Sequence, residues 1–143
     1  MTVFLSALPA VALELPEWAV AVFPSGAEFS LELAVTDREL QLGYMFREEV
    51  PAHEGMLFLF DATERHGIWM KNCVVALDII WLDEDFRVVE IAAGAQPCPA
   101  DGPCLSMRPM RASRYVLEIA AGRAAEEKLV RGDLVIIHSE PPL

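Results

Sequence analysis

The chain has 143 residues, 54% of them apolar, which is enough for one domain that buries a hydrophobic core of its own. Its 22 acidic and 11 basic residues give a formal net charge of −11, and no cluster of lysines and arginines is present, which argues against a nucleic acid partner. No apolar run approaches the roughly 20 residues that a membrane-spanning helix needs, so we expect a soluble domain with no transmembrane span.

Residues 3–12 have the features of the end of a secretory signal, an apolar run that closes on the small-x-small sequence Ala10-Val11-Ala12. No lysine or arginine precedes Val3, so the segment is either a truncated signal or a first strand. We assign residues 1–12 to this segment and residues 13–143 to a single domain. Export is the favoured interpretation and predicts a periplasmic or secreted protein with peripheral envelope association. A cytoplasmic protein is the alternative.

The first half of the domain is predicted to contain strands and one short helix. Apolar and polar residues alternate over residues 27–35, which is typical of a half-buried strand. Residues 36–39, Thr-Asp-Arg-Glu, have the form of a capping box, and the apolar spacing after them predicts a short helix that ends near Arg47. Two buried strands follow at residues 56–60 and 68–70, separated by a polar loop.

The second half is predicted to be richer in strands. Residues 77–82 and 86–91 form a hairpin around an acidic turn. After a long irregular loop come a strand at residues 115–119, a helix at residues 121–129 and a last strand at residues 134–138. The total of seven or eight short strands and two short helices indicates a mainly β sandwich or barrel rather than a parallel α/β sheet.

Polar side chains interrupt an apolar run in residues 67–81, where Trp69 is followed by Lys71 and Asn72, and a strand contains Asp78. Their neighbours are residues that are normally buried, and a buried polar group needs a partner. We therefore predict a ligand-binding site here. Its members are Arg47, Trp69, Lys71, Asn72 and Asp78.

Each of these residues also has a structural interpretation. Lys71 and Asp78 form a structural ion pair in this alternative, and Arg47 is a helix cap or a surface ion pair rather than an anion clamp with Lys71. Asn72 braces a turn. Trp69 supplies a flat apolar wall in either case.

The cysteines divide into a pair and a single thiol. Cys98 and Cys104 flank a short loop rich in proline and glycine that can bring the sulfur atoms together, and a disulfide there suits an oxidising compartment. The alternative is two unrelated surface thiols. Cys73 lies in apolar sequence and is interpreted as an inert core thiol.

Other chemistries find little support. No Gly-x-Ser-x-Gly elbow is present, and His53, His66 and His138 have no nucleophile near them in sequence, which argues against hydrolysis by a catalytic triad. The cysteines and histidines lack the spacing of a zinc site, and no phosphate-binding glycine-rich loop precedes a helix. We therefore assign no catalytic residue, metal or cofactor.

Three methionines raise one alternative. Met45, Met56 and Met70 are candidates for a Cu(I) site in an exported copper-binding protein, since thioether sulfur selects this ion. Methionines in apolar strands more often fill gaps in the core, and we favour that interpretation.

Six motifs, taken in order, closely resemble domain-of-unknown-function family 192 over residues 27–138. The motifs are Thr36-Asp37-Arg38-Glu39-x-x-x-Gly43-Tyr44-Met45-Phe46-Arg47, Gly55-Met56-Leu57-Phe58, Trp69-Met70-Lys71-Asn72, Leu77-Asp78-Ile79, Val116-Leu117-Glu118 with Ala121-Gly122, and Gly132-Asp133. The resemblance implies a small, mostly antiparallel β-sandwich of jelly-roll-like character, often behind a signal peptide or lipoprotein anchor, with no established activity.

The sequence departs from the family pattern at two positions, because Tyr44 stands where leucine is more usual and Cys73 where threonine is more usual. The second change replaces a hydroxyl beside the predicted site by a thiol. Members of the family often have two cysteines that match Cys98 and Cys104, which favours the disulfide.

Two functions remain. The first is a non-catalytic cell-envelope binding module for a small polar ligand, a glycan or a partner protein. The second is an enzyme in which Asp78 is the acid or base while Lys71 and Arg47 stabilise negative charge. The geometry of the pocket discriminates between them, since an enzyme needs Asp78 to be reachable from a cleft.

Overall fold

The structure, a computed structural model, describes residues 14–143, so the predicted signal at residues 1–12 lies outside the described residues. No helix in this part of the chain has the length and apolar character needed to cross a membrane. The elements are β1 (Ala19–Val22), β2 (Glu28–Ala34), α1 (Asp37–Leu42), β3 (Glu54–Glu64), β4 (Leu77–Leu82), β5 (Val88–Ala95), β6 (Ser113–Ala120), α2 (Arg123–Glu126) and β7 (Ile136–Ser139).

The seven strands of the described chain form one sheet in the order β5-β4-β6-β3-β2-β1-β7. Neighbouring strands are antiparallel except β2 and β3, which run parallel with Ser30 opposite Glu54. The mainly β class is therefore confirmed. The sheet is mixed rather than wholly antiparallel as predicted, and the jelly-roll-like sandwich is not confirmed. The parallel pair arises because α1 and the turns after it carry the chain back to the end of the sheet where β2 began.

Side chains alternate between the two faces of the sheet and build a hydrophobic cluster on each. The first core cluster contains Phe29, Leu57 and Leu117, and α2 packs against it. An isolated β-bridge between Arg87 and Leu134, which lie next to the edge strands β5 and β7, brings the two edges of the sheet towards each other around this cluster.

The second core cluster lies on the opposite face of the central strands. Met56, Phe58 and Val116 contribute to it from β3 and β6, and Tyr44 and Met70 cover it from the connecting segments. The candidate site is built on this face.

The predicted capping box is present at the start of α1. Thr36 Oγ1 accepts a hydrogen bond from the Glu39 amide at 3.3 Å, and Glu39 Oε2 accepts from the amides of Thr36 and Val35 at 3.0 and 2.9 Å. These backbone hydrogen bonds hold the pKa of Glu39 below its ordinary value. The helix nevertheless stops before Gly43, whose φ is 44°, and does not reach Arg47.

The observed boundaries differ most from the predicted ones where pairing with another strand determines how far a strand extends. Residues 77–82 form β4 as predicted, but residues 68–70 do not form a strand, since only Ile68 pairs, with Met107. β3 continues through part of the predicted polar loop because β6 pairs with it as far as Glu64. β1 has no counterpart among the predicted strands.

Candidate ligand-binding cleft

A cleft of about 780 Å³ opens on the second core cluster. One wall is the end of α1 and the turn after it, residues 38–45, and the other wall is residues 67–73. Phe58 and Phe60 of β3 form the floor together with Glu118 of β6. The volume lies within the range of pockets that hold small organic molecules.

Gly43 lets the first wall pack closely against the floor. A β-carbon at this position would lie 3.0 Å from Cζ of Phe58, and the positive φ also favours glycine. The chain reversal at Gly43 buries Tyr44 in the second core cluster. The amide of Phe46 donates to the carbonyl oxygen of Asn72 at 2.8 Å, which ties the first wall to the second.

The second wall is held by backbone hydrogen bonds to distant segments. Ile68 and Met107 exchange amide-to-carbonyl hydrogen bonds of 2.9 and 2.7 Å. The carbonyl oxygen of Met70 accepts from the amides of Cys73 and Cys98, both at 3.3 Å. The loop that contains Cys98 therefore supports the wall from behind.

Trp69 and Lys71 form the exposed rim of the second wall. Trp69 is 45% exposed, and Lys71 Nζ lies 5.0 Å from its ring centroid, which is a cation–π distance. Arg38 lines the opposite wall. Within residues 14–143, neither Lys71 nor Arg38 forms a salt bridge, so both cations are accessible to a ligand.

The base of the cleft holds a carboxyl group that is almost entirely buried. Glu118 is only 4% exposed, and burial raises the pKa of its carboxyl to about 8. Among the described residues, every polar side-chain atom that is fully shielded from solvent has a hydrogen-bond partner. The Glu118 carboxyl has no such partner, so it is not fully shielded and keeps contact with solvent through the cleft. At neutral pH this group is mainly a neutral acid that can donate a hydrogen bond.

Glu118 was not among the predicted site residues, although the sequence contained a signal. The carboxylate lies inside an apolar strand, residues 115–119, in the same way that Asp78 lies inside residues 77–82. The rule that a buried polar group needs a partner therefore applied to both residues.

Two further titratable side chains lie beside Glu118. Burial, together with the charge of Glu118, raises the pKa of the Cys73 thiol to about 11. Burial is also the main cause of a raised pKa at Tyr44, and the charges of Glu32 and Glu118 raise this pKa further. Cys73 is therefore a neutral thiol at physiological pH and does not supply an activated nucleophile.

Three of the five predicted site residues, Trp69, Lys71 and Asn72, come together in the cleft. Asn72 also braces the turn, since its φ is 57°, a conformation that asparagine tolerates better than most residues. Its Nδ2 lies 3.8 Å from the sulfur of Met45, which leaves the amide available for a stronger partner.

Arg47 does not line the cleft, which corrects its predicted place in the site. Its two Nη atoms donate to both carboxylate oxygens of Glu32 at 2.6 and 2.8 Å, and its guanidinium carbon lies 5.1 Å from the ring centroid of Tyr44. The hydrogen bonds from Arg47 hold the pKa of Glu32 below its ordinary value. The surface ion pair, the alternative for Arg47, is the observed arrangement.

Asp78 lies on the other face of the sheet, so its predicted membership of the site and its ion pair with Lys71 are both wrong. It is fully buried beside the first core cluster, opposite Ile119 of β6. Its Oδ1 accepts from the amide of Gly94 at 2.8 Å, and its Oδ2 accepts from the amide of Ala124 at 2.9 Å. Both oxygens satisfy backbone groups, which is a structural role.

The cysteines have the arrangement expected of a bridged pair and a single thiol. Cys98 and Cys104 form a disulfide with 5.2 Å between their Cα atoms. Cys73 is a free, half-buried thiol on the cleft wall.

The methionines differ in burial. Met56 and Met70 are buried in the second core cluster, as the core interpretation requires, whereas Met45 is half-buried and lines the cleft. Among the described residues, no group of three or more histidine, cysteine or acidic side chains is arranged to hold a metal ion.

Comparison with known proteins gives a family and a fold. The sequence pattern of family DUF192, described as "Uncharacterized ACR", matches residues 20–137. A crystal structure of a protein of unknown function from Novosphingobium aromaticivorans DSM 12444 is similar at 35% identity, with a TM-score of 0.75 over 92% of this chain and 91% of that chain. One from Sinorhizobium meliloti 1021, described as a "putative transcription regulator", is similar at 26% identity, with a TM-score of 0.76 over 90% of this chain and 96% of that chain. No curated protein matches the chain.

Proposed function

Because the chain belongs to the DUF192 family, whose description states no activity, we propose a function from the cleft: a non-catalytic domain that binds a small organic ligand. One observation carries the proposal. A carboxyl group with no protein partner, Glu118, lies at the base of an open cleft with aromatic walls. A buried polar group of this kind is costly unless a ligand or water satisfies it.

The composition of the cleft supports a ligand with an apolar body. Phe58, Phe60 and Ile68 present apolar surface inside it, and Trp69 adds an exposed aromatic face at the rim. Polar groups line it too, with Glu118 at the base, the two cations at the rim, and Gln41 and Asn72 on the walls. A ligand with an apolar body and polar groups at its ends can therefore contact both kinds of surface.

The enzyme alternative loses the residue on which it depended, because Asp78 is on the other face of the sheet. Of the described residues that line the cleft, Glu118 is the only carboxyl, whereas glycoside hydrolysis uses a pair. Cys73 is a neutral thiol and lacks the activation of a nucleophile. These features favour binding over catalysis.

The proposed setting is the cell envelope, in a periplasmic or secreted protein. The disulfide between Cys98 and Cys104 supports an oxidising compartment, since such bonds are rare in the cytosol. The words "putative transcription regulator" for the similar protein raise DNA binding as another function. The net charge of −11 argues against it here, because a phosphate backbone attracts basic surfaces.

Replacing Trp69 by alanine is expected to weaken ligand binding without unfolding the protein, because its ring is exposed at the rim. The measurement is the thermal stability of the wild type and the variant against a library of small organic compounds, with native mass spectrometry for any co-purified molecule. A ligand at about 100 times its Kd stabilises the wild type by about 2.7 kcal/mol. The Trp69→Ala variant is expected to lose most of this gain.

The matched control is Trp18→Ala, since Trp18 is 56% exposed and does not line the cleft. It is expected to respond to the same compounds as the wild type does. Equal loss in both variants would contradict a site at the cleft. Steady conversion of the bound compound to a product would contradict a non-catalytic domain.

A further inference from the structure

We propose that the cleft selects a small organic anion with an apolar body, which Lys71 and Arg38 attract at the rim, and that Glu118 at the base is the residue that determines this specificity. This inference rests on the proposed function and names the chemical class of the ligand. It follows from the charges of the cleft, from its apolar interior and from the groups that face Glu118.

The charges of the cleft differ in sign from those of the whole protein. The chain has twice as many acidic as basic residues, yet the charged side chains at the rim of the cleft are Arg38 and Lys71. Arg47 and Arg123, by contrast, are paired with carboxylates, Arg47 with Glu32 and Arg123 with Glu126 and Glu127. A concave site lined by one sign of charge raises the local concentration of ligands of the opposite sign.

The interior of the cleft favours an anion that carries apolar surface over a purely polar one such as inorganic phosphate. Between the rim and the base, Leu40, Phe58, Phe60 and Ile68 present apolar side chains to the cleft, beside the polar side chains of Gln41 and Asn72. An anion that fills this space must bring apolar surface with it, and burying that surface contributes about 25 cal/mol per Å². The anionic group then lies near the rim, close to Lys71 and Trp69.

The surroundings of Glu118 keep the base of the cleft free of negative charge at neutral pH. Tyr44 and Cys73 are the titratable groups that face it from the two walls, and its neighbours on β3 and β4 are apolar. No cation approaches closely enough to stabilise the ionised form, so burial raises the pKa of Glu118 to about 8. The neutral acid adds no negative charge to the cleft, whereas an ionised carboxylate would repel an anionic ligand.

Three probes with one apolar body and different charges test the inference: 2-naphthoate, 2-naphthylmethanol and 2-naphthylmethylammonium. Isothermal titration calorimetry at about pH 6 is expected to give a Kd for naphthoate about tenfold below that of the alcohol, with the ammonium weakest. Lys71→Met is expected to remove most of the preference for naphthoate over the alcohol. Lys128→Met, at the other lysine of the chain, is the matched control and is expected to leave it unchanged.

A second arm repeats the naphthoate titration from about pH 6 to about pH 9.5. Ionisation of Glu118 is expected to weaken binding about tenfold as the pH rises through about 8, and Glu118→Gln, which stays neutral, is expected to remove this dependence. The alcohol is expected to show no such dependence in either protein.

The outcomes separate this inference from the proposed function. Equal binding of naphthoate and the alcohol, lost in Trp69→Ala, would overturn the anion preference and leave a binding cleft intact. Tightest binding of the ammonium probe would overturn the inference by making Glu118 an ionised partner for cations. Failure of all three probes at millimolar concentration would also overturn it, whereas the proposed function is decided by the compound library.

Discussion

Replacing Asp78 by alanine is expected to lower the free energy of unfolding by about 3–5 kcal/mol. The change leaves the amides of Gly94 and Ala124 without their acceptors in a part of the protein where Asp78 is fully buried. It thereby loosens both β5 and the first turn of α2 from β4. Urea denaturation of the wild type and the variant measures the loss.

Asp83→Ala is the matched control for Asp78→Ala. Asp83 Oδ1 also accepts two amide hydrogen bonds, from Asp85 and Arg87, but in an exposed hairpin turn where water can replace it. Loss of the Asp83 carboxylate is expected to lower the free energy of unfolding by about 1 kcal/mol. A cost for Asp78→Ala as small as that of the control would contradict the structural role. Loss of ligand binding by a folded Asp78 variant would return this residue to the site.

Stability is expected to fall as the pH rises from about 5 to about 9, and Glu118 is expected to be the main cause. In the unfolded chain this carboxyl ionises at its ordinary pKa of 4.5, but in the folded protein it holds its proton up to a pKa of about 8. The folded state thus binds more protons in this interval, and its stability decreases with pH by on the order of 4 kcal/mol in total. Urea denaturation at several pH values measures the slope.

Glu118→Gln is expected to flatten this pH dependence, because the amide has no proton to lose. Glu28→Gln, at an exposed position of β2, is the control and is expected to keep the wild-type slope. Glu32 and Glu39, whose pKa values are lowered, contribute stability that is lost only as the pH falls towards and below 4.5, so they act outside this interval. A wild-type profile that is flat between pH 5 and 9 would contradict a buried neutral acid at the base of the cleft.

The contrast between Asp78 and Glu118 explains why the sequence identified only some of the polar residues that line the cleft. Both carboxyls lie in apolar strands, and the need of a buried polar group for a partner marks both as unusual. Asp78 finds its partners in backbone amides from α2 and β5, which are remote in sequence. Glu118 has no such partner and faces the cleft. A rule applied to one strand at a time cannot distinguish the two situations.

Features that depend on neighbours in the chain were determined by the sequence itself. The capping box at Thr36 and Glu39 formed because its hydrogen bonds span three residues, and the mainly β class followed from short apolar runs between turns. Trp69, Lys71 and Asn72 lie together in the cleft because they share one short segment, whose backbone places them on one wall.

Only the tertiary structure decided which face of the sheet each side chain occupies. β4 is buried along its whole length, between β5 and β6, so its burial gives no alternating pattern that would indicate which residues face which cluster. The register against β6 sets Asp78 opposite Ile119 and Ile79 opposite Glu118, and a shift by one residue would exchange the two faces. Tertiary packing also determines that α1 ends before Gly43, that Arg47 pairs with Glu32, and that Glu118 lies at the base of the cleft. These outcomes depend on contacts between residues far apart in the chain, where burial and side-chain volume outweigh local preference.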